Sequence, residues 1–473
     1  PTDGRRARSG AGITHHCFDA LVMTSGNISE EPIVIDNQEA LNSLSNIADA
    51  FLLHNRDIYM RVDDSVTRIS DLGFRISDLK SQVSNPGFQI VRRARGYVPS
   101  PIDLGREMPL VLATGGELKT TLCLTKERYA IISQHIGDME NKEAIDFYKE
   151  TLINLMQTFK VKPQVVAHDL HPDFWTTRFA REYCSSLPTP HPSLIAVQHH
   201  HAHIASCIAE HGLRGKVIGI ALDGTGYGTD GKVWGGEFLI ADERGFERFA
   251  HLQYIPMPGG EKAIKEPFRM ALSYLYRAFG DEAMEIYPQF FHRFNQRDLK
   301  TLISMIKGGI NSPLTSGCGR LFDAVSSILG IKDVITFEGE AAIALEMIAS
   351  PDVDACYGSE IKGGHPYIID VRPMIRDLIA DMKNNVELSV ITGKFHNTIA
   401  EIMSVISKMA MQETSIQRVV LSGGCLQNTI LLKRAVSRLE GNGFNVFTHR
   451  IVPPNDGGIS LGQALIASSK VKT

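Results

Sequence analysis

Four histidines fall within five positions in the stretch Gln198-His199-His200-His201-Ala202-His203-Ile204. If residues 196–210 are helical, His199 and His203 stand at i and i+4, on one face and near enough to share a cation. Imidazole nitrogens suit Zn or Fe, and two of them leave room for carboxylates and substrate. The plainer alternative is a polar helix end with solvated histidines, which the flanking apolar positions disfavour. His199 and His203 are therefore expected to ligate a metal, with His200 and His201 as outer contacts to the site or to substrate.

Two aspartates are candidates for the same site. Asp223 closes the apolar run 217–222 and leads the turn Asp223-Gly224-Thr225-Gly226, where its carboxylate reaches a metal or a nucleotide-bound cation; an Asx turn is the simpler role. Asp456, in Pro453-Pro454-Asn455-Asp456-Gly457-Gly458, precedes the last helical segment and reads equally well as a helix cap or as a ligand beside closely approaching backbone.

Glycine turns recur at strand ends, where backbone N–H groups hold anions. Ser422-Gly423-Gly424 with Asn428 reads as a nucleotide cradle, and Trp234-Gly235-Gly236 and Ser316-Gly317-Cys318-Gly319-Arg320 add two more such turns. Lys119, after Gly115-Gly116, is a candidate phosphate partner. Nearer the N-terminus, Ser25 and Asn27 lie in the turn after residues 21–24, while Arg61, Ser65, Arg68, Arg92, Arg93 and Arg95 supply groups suited to phosphate clamping. No P-loop, G-x-S-x-G or H-E-x-x-H occurs, so P-loop and serine-hydrolase readings are poor.

The elements that must position these groups alternate strands with amphipathic helices, an α/β pattern. Strands are expected at 21–24, 50–53, 110–113, 217–222, 418–421 and 444–447, and a hairpin at 120–125 with 129–133. Helices are expected at 40–50, 141–159, 428–439 and 458–468. The proline-rich stretch near 100–108 marks a domain boundary, and residues 1–18, rich in Arg and Gly, read as a disordered or aberrant start without a secretory signal. The chain has 473 residues, 43% hydrophobic and 22% charged, enough for two or three globular domains. A net charge of −4 disfavours broad nucleic-acid or anionic-membrane binding, and no apolar run approaches a membrane span. Seven scattered cysteines without C-x-x-C spacing point to a reducing cytoplasm rather than a disulfide framework.

Read together, the motifs resemble the family of the hydrogenase maturation carbamoyltransferase HypF. The similarity rests on LVMTSGNISEEPI, AFLLHNRDIYMRVDDSVTRI, RRARGYVPSPI, LATGGELKTTLCL, SQHIGDMEN, VAHDLHPDFWTTRFA, VQHHHAHIASCIAEHGL, ALDGTGYGTDGKVWGGEFL, SGCGRLFDAVSSILGI, FEGEAAIALE, LSGGCLQN and PPNDGGISLGQA, in the family's order. The resemblance implies that residues 19–100 are the C-terminal part of a YrdC-like domain. It implies that 108–473 form a transferase domain of the actin-like, duplicated ribonuclease-H-like fold, similar to tRNA threonylcarbamoyl transferases. It further implies His199, His203, Asp223 and Asp456 as metal-ligating catalytic residues. Ser25, Asn27, Arg61, Ser65, Lys119, Gly224, Gly235, Gly236, Gly319, Arg320, Gly423, Gly424 and Asn428 are implied around the nucleotide. The implied cofactors are Zn or Fe, ATP/AMP and Mg, and the implied reaction moves a carbamoyl group from carbamoyl-adenylate, made from carbamoyl phosphate, to the C-terminal cysteine of HypE. The family's acylphosphatase and zinc-finger modules have no counterpart here, so carbamoyl phosphate hydrolysis is not expected. O-carbamoyl transfer, tRNA modification and an inactive fragment or scaffold are the competing readings.

Overall fold

The computed structural model describes residues 23–29, 31–69, 88–187 and 191–471. The reading of residues 1–18 and the first half of the expected strand at 21–24 lie outside them; the described half of that strand, Met23-Thr24, is irregular.

One strand plan occurs twice. In the first lobe Val111–Ala113, Cys123–Lys126 and Tyr129–Ile132 run antiparallel; Val165–Asp169 then pairs parallel with the first strand and Ser193–Val197 parallel with the fourth. In the second lobe Val217–Tyr227, Val233–Ala241 and Phe246–Leu252 run antiparallel, followed by Arg418–Ser422 and Asn445–Phe447 in the same two parallel positions. Extra edge strands widen both sheets. A helix follows the fifth strand in each lobe: His199–Glu210 in the first and Ile459–Lys470 in the second. This is the duplicated ribonuclease-H-like, actin-like α/β fold.

Apolar alternation explains the layering. Along the first strand of lobe two, Val217 and Ala221 point to the layer between the sheets, while Ile218, Ile220 and Leu222 join the outer core under the large helical insertion. The middle layer holds the two post-strand helices, through Ala202, Ile204, Ala205 and Ile208 of one and Leu461, Ala464 and Leu465 of the other. Small residues permit the close crossing: a Cβ on Gly462 would lie 1.9 Å from the Ala202 carbonyl oxygen, and one on Gly219 2.7 Å from Ile204. The outer face of the first sheet packs on Lys142–Phe159, capped by Asn141, and on Trp175–Ser186.

Three local expectations change. The strand from Val217 continues to Tyr227, so Asp223-Gly224-Thr225-Gly226 is strand and not turn; the chain reverses at Gly228–Gly231, where Gly228 N–H donates to Lys232 O at 2.9 Å. Gly226 is there because a Cβ would meet His200 at 2.5 Å and His199 at 2.7 Å. The helix expected at 40–50 is Asn37–Ser43, capped by the Asp36 carboxylate, and residues 50–53 form no strand.

The N-terminal segment contributes an antiparallel pair, Val66–Ile69 with Phe88–Arg92, and sits on the two lobes. Arg68 pairs with Glu346 at 2.7 Å, Gln89 Nε2 donates to Leu426 O at 3.1 Å, and Asn455 Nδ2 donates to Val91 O at 3.0 Å. Among the described residues no helix is long and apolar enough to cross a membrane, and the six cysteines are unpaired.

Candidate metal centre

The histidine helix begins two residues after a strand, with the Gln198 side chain accepting from His201 N–H, so its buried first turn is fixed at the end of that strand. His199 and His203 face the second lobe, where Asp223 comes from the first strand and Asp456 from the turn before the terminal helix. His199 Nε2 lies 3.4 Å from Asp223 Oδ2 and 3.8 Å from Asp456 Oδ1; for His203 Nε2 the distances are 3.3 and 3.5 Å. One donor atom from each of the four residues falls within 4.8 Å of all the others.

These contacts are poor hydrogen bonds, and both Nε2 atoms are buried without a hydrogen-bond partner. A tetrahedral ion with bonds of about 2.0–2.1 Å needs donors about 3.3–3.4 Å apart, near the separations found. Two imidazoles and two carboxylates also form a fitting donor set for a divalent transition metal. The electrostatics call for a cation as well. Burial opposes protonation of His199, but Asp169, Asp456 and Asp223 outweigh it and hold its pKa well above the usual histidine value. Burial likewise opposes ionisation of Asp223, yet the two imidazoles hold its pKa well below the usual carboxylate range.

Asp169, fully buried at the end of the fourth strand of lobe one, accepts from His199 Nδ1 at 2.8 Å. The bond fixes the tautomer and leaves Nε2 to face the carboxylates. Sequence reasoning passed over Asp169; the available signal was the pair His168-Asp169 directly after the apolar run Val165-Val166-Ala167. The outer histidines divide. His200 stays beside the site, its Nδ1 3.2 Å from Gln198 Nε2 and its Nε2 buried without a partner. His201 turns away to donate to the Asp242 carbonyl at 2.7 Å, so its expected role at the site is corrected. Burial, with Lys470 nearby, pushes its pKa down to about 4.

The glycine turns converge beside Asp223. Gly424 N–H donates to Asp223 Oδ1 at 3.2 Å. A Cβ on Gly235 would lie 2.7 Å from Asp223 O, one on Gly236 2.6 Å from Ser316 O, one on Gly319 2.9 Å from Gly224 Cα, and one on Gly423 2.2 Å from Leu222 O. Arg320 lies against Gly224, pairs with Asp323 at 3.0 Å and keeps Nε and Nη1 buried without partners. An unpartnered buried guanidinium among bare backbone suits an anion. Burial raises the pKa of Asp323 to about 6 in spite of Arg320.

Other expected nucleotide contacts are occupied within the protein. Asn428 caps Thr429–Gly441 and meets His396 Nε2 at 3.0 Å. Lys119 lies near Asp456 but pairs with Glu338. Ser25 bonds Asn27, whose amide donates to Ile28 O and Glu31 O; Arg61 donates to Ile33 O and pairs with Glu39; Ser65 donates to Arg95 O. The structure does not bring this N-terminal set to the metal centre.

Comparison with known proteins follows the same division. Residues 219–463 match the family described as "Carbamoyltransferase, Kae1-like Domain, second subdomain", 106–210 the "HypF Kae1-like domain", and 11–77 the family described as "Telomere recombination". Carbamoyltransferase HypF2 of Cupriavidus necator is 39% identical over 94% of the chain and 56% of its own length; a HypF homolog of the same organism is 35% identical over 77% of the chain and 93% of its length. The chain thus spans little more than half of the longer curated relatives. A crystal structure of full-length HypF in a phosphate- and nucleotide-bound form superposes with TM-score 0.87 at 45% identity, over 95% of this chain and 67% of that one. HypF of T. kodakarensis gives 0.84 at 32% identity, over 94% and 56%. With both lobes and the N-terminal segment matched in order, the chain belongs to the HypF carbamoyltransferase family.

Proposed function

We propose that this chain transfers a carbamoyl group from carbamoyl-adenylate to the C-terminal cysteine of HypE, in the cytoplasm, during [NiFe]-hydrogenase maturation. The observation that carries the reading is the convergence of His199 and His203 from one lobe with Asp223 and Asp456 from the other. His199, His203, Asp223 and Asp456 would hold Zn or Fe, and a cation so bound supplies positive charge to polarise a carbonyl or neutralise a phosphate.

The chain's own groups do the rest. The unpartnered N–H groups of Arg320 and the bare backbone around Gly224, Gly235, Gly236, Gly319, Gly423 and Gly424 would take the phosphate of the adenylate. Asp169 holds His199 in one tautomer. The incoming thiolate forms a bond from sulfur to the carbamoyl carbon, the bond from that carbon to the phosphate oxygen breaks, and AMP leaves with the electron pair. The thiol comes from the partner: Cys425, the described cysteine whose charge would feel Asp223, has its pKa raised well above the usual thiol value by the neighbouring Cys318 and by burial, so it is held as a thiol. ATP and carbamoyl phosphate enter upstream, as sources of the adenylate.

Mass spectrometry of HypE after incubation with the chain and carbamoyl-adenylate tests the reading. The expected result is one added carbamoyl group on the terminal cysteine and release of AMP. AMP release without a change in HypE mass, or no reaction beside an active full-length HypF control, would refute it for this chain.

A further inference from the structure

Outside the four candidate ligands, Ser422, His449 and Glu210 form a buried hydrogen-bond chain. Ser422 Oγ lies 2.8 Å from His449 Nε2, and His449 Nδ1 lies 3.1 Å from Glu210 Oε2. Glu210 Oε1 accepts from Arg450 N–H at 2.6 Å and from Ile451 N–H at 2.5 Å. A carboxylate accepts, so His449 donates from Nδ1 to Glu210, and its Nε2 shares a hydrogen bond with the Ser422 hydroxyl, which also lies 3.5 Å from Pro454 O. The residue types are those of a hydrolase triad. Ser422 is 0% exposed and the His449 and Glu210 side chains are 0% and 3% exposed, so no substrate reaches the hydroxyl. The chain's value is in what it joins.

Each segment it joins carries part of the metal centre. Glu210 is the last residue of the helix that bears His199 and His203. Ser422 precedes Gly423-Gly424, where Gly424 N–H holds Asp223 Oδ1. His449 opens the segment that leads through Pro453-Pro454 to Asp456, and Pro454 O accepts from Gly423 N–H at 2.9 Å. A neighbouring bond reinforces the clamp: His211 Nε2 donates to Thr448 O at 2.8 Å. The arrangement also repeats the first lobe. There the last residue of the fourth strand, Asp169, bonds His199, two residues past the fifth strand; here Ser422 ends the fourth strand and His449 stands two residues past the fifth.

We propose that Glu210, His449 and Ser422 are positioning residues: a buried strut that sets the Asp456 segment and the Gly423-Gly424 turn against the histidine helix and thereby sets metal affinity. The inference rests on the metal reading given above. Titrating Co(II) into the metal-free full chain, with its visible spectrum and a metal-free thermal melt recorded for each variant, tests it. Glu210→Ala and His449→Ala are expected to weaken Co(II) binding about tenfold or more, the scale on which groups supporting metal ligands act. Their Co(II) bands should shift at temperatures where the melts show folded protein. Ser422→Ala is expected to lose less, and Glu210→Gln, which keeps an acceptor for Arg450 and Ile451, to recover most of the affinity. Should Glu210→Ala fail to fold, Ser422→Ala and Glu210→Gln still decide. Variants with lowered melts but wild-type affinity and spectrum would make the chain a folding element only and overturn the strut. A wild type that binds no Co(II) would overturn the metal reading together with it.

Discussion

Two residues past the fifth strand of each lobe stands a histidine bonded to the end of the fourth strand, but the two copies are used differently. In the first lobe His199 spends only Nδ1, on Asp169, and its Nε2 faces the cleft. In the second lobe His449 spends both nitrogens, on Glu210 and Ser422, and the cleft receives Asp456 from farther along the chain. The strand plan is the same, yet one lobe presents imidazoles and the other carboxylates. Neither lobe alone offers a complete donor set, so the site exists only where the two meet, and the crossing of Gly462 on Ala202 fixes that meeting.

Removing a donor from either lobe should break the site about equally. His203→Ala and Asp456→Ala are each expected to lose bound metal, measured by elemental analysis, and about a hundred- to thousandfold in carbamoyl transfer. If only the histidine variant did so, Asp456 would be a helix cap and the division between lobes would fail. Asp169→Asn sharpens the contrast between the two histidines: metal affinity should fall about ten- to hundredfold while the melt of the metal-free protein stays close to wild type. Arg320→Met should weaken AMP binding in calorimetry by about tenfold, the scale of one charge-assisted hydrogen bond, without changing metal content.

The smallest effect on activity belongs to His201, on the same helix as His199 but facing away. Its folded pKa of about 4 lies below the usual 6.5, so the folded state binds fewer protons than the unfolded state between those values. That contribution is full above pH 6.5 and is lost as pH falls towards 4. His201→Phe should flatten this acid limb in denaturant melts and leave transfer unchanged; a collapse of transfer would return His201 to the site.

Much of this was legible in the sequence because it is local. The i, i+4 spacing put His199 and His203 on one face, and the apolar runs ending at Asp223 and Ser422 marked real strands. Resemblance to a family joined Asp456 to them. What stayed hidden depends on the fold bringing distant residues together. Asp169 lies 30 residues from His199, and Glu210 lies 239 from His449. Gly226 looked like a turn residue because a glycine required by neighbouring rings leaves the same trace as one required by backbone conformation. Asn428 looked free for a ligand because helix capping and ligand binding favour the same amide.

X-ray absorption on the metal-loaded chain tests the shared site most directly. The expected spectrum shows two imidazoles and additional oxygen donors at about 2.0–2.2 Å, falling to one imidazole in His199→Ala. Sulfur ligation, or an imidazole count unchanged in that variant, would contradict a centre built from His199 and His203 of one lobe and Asp223 and Asp456 of the other.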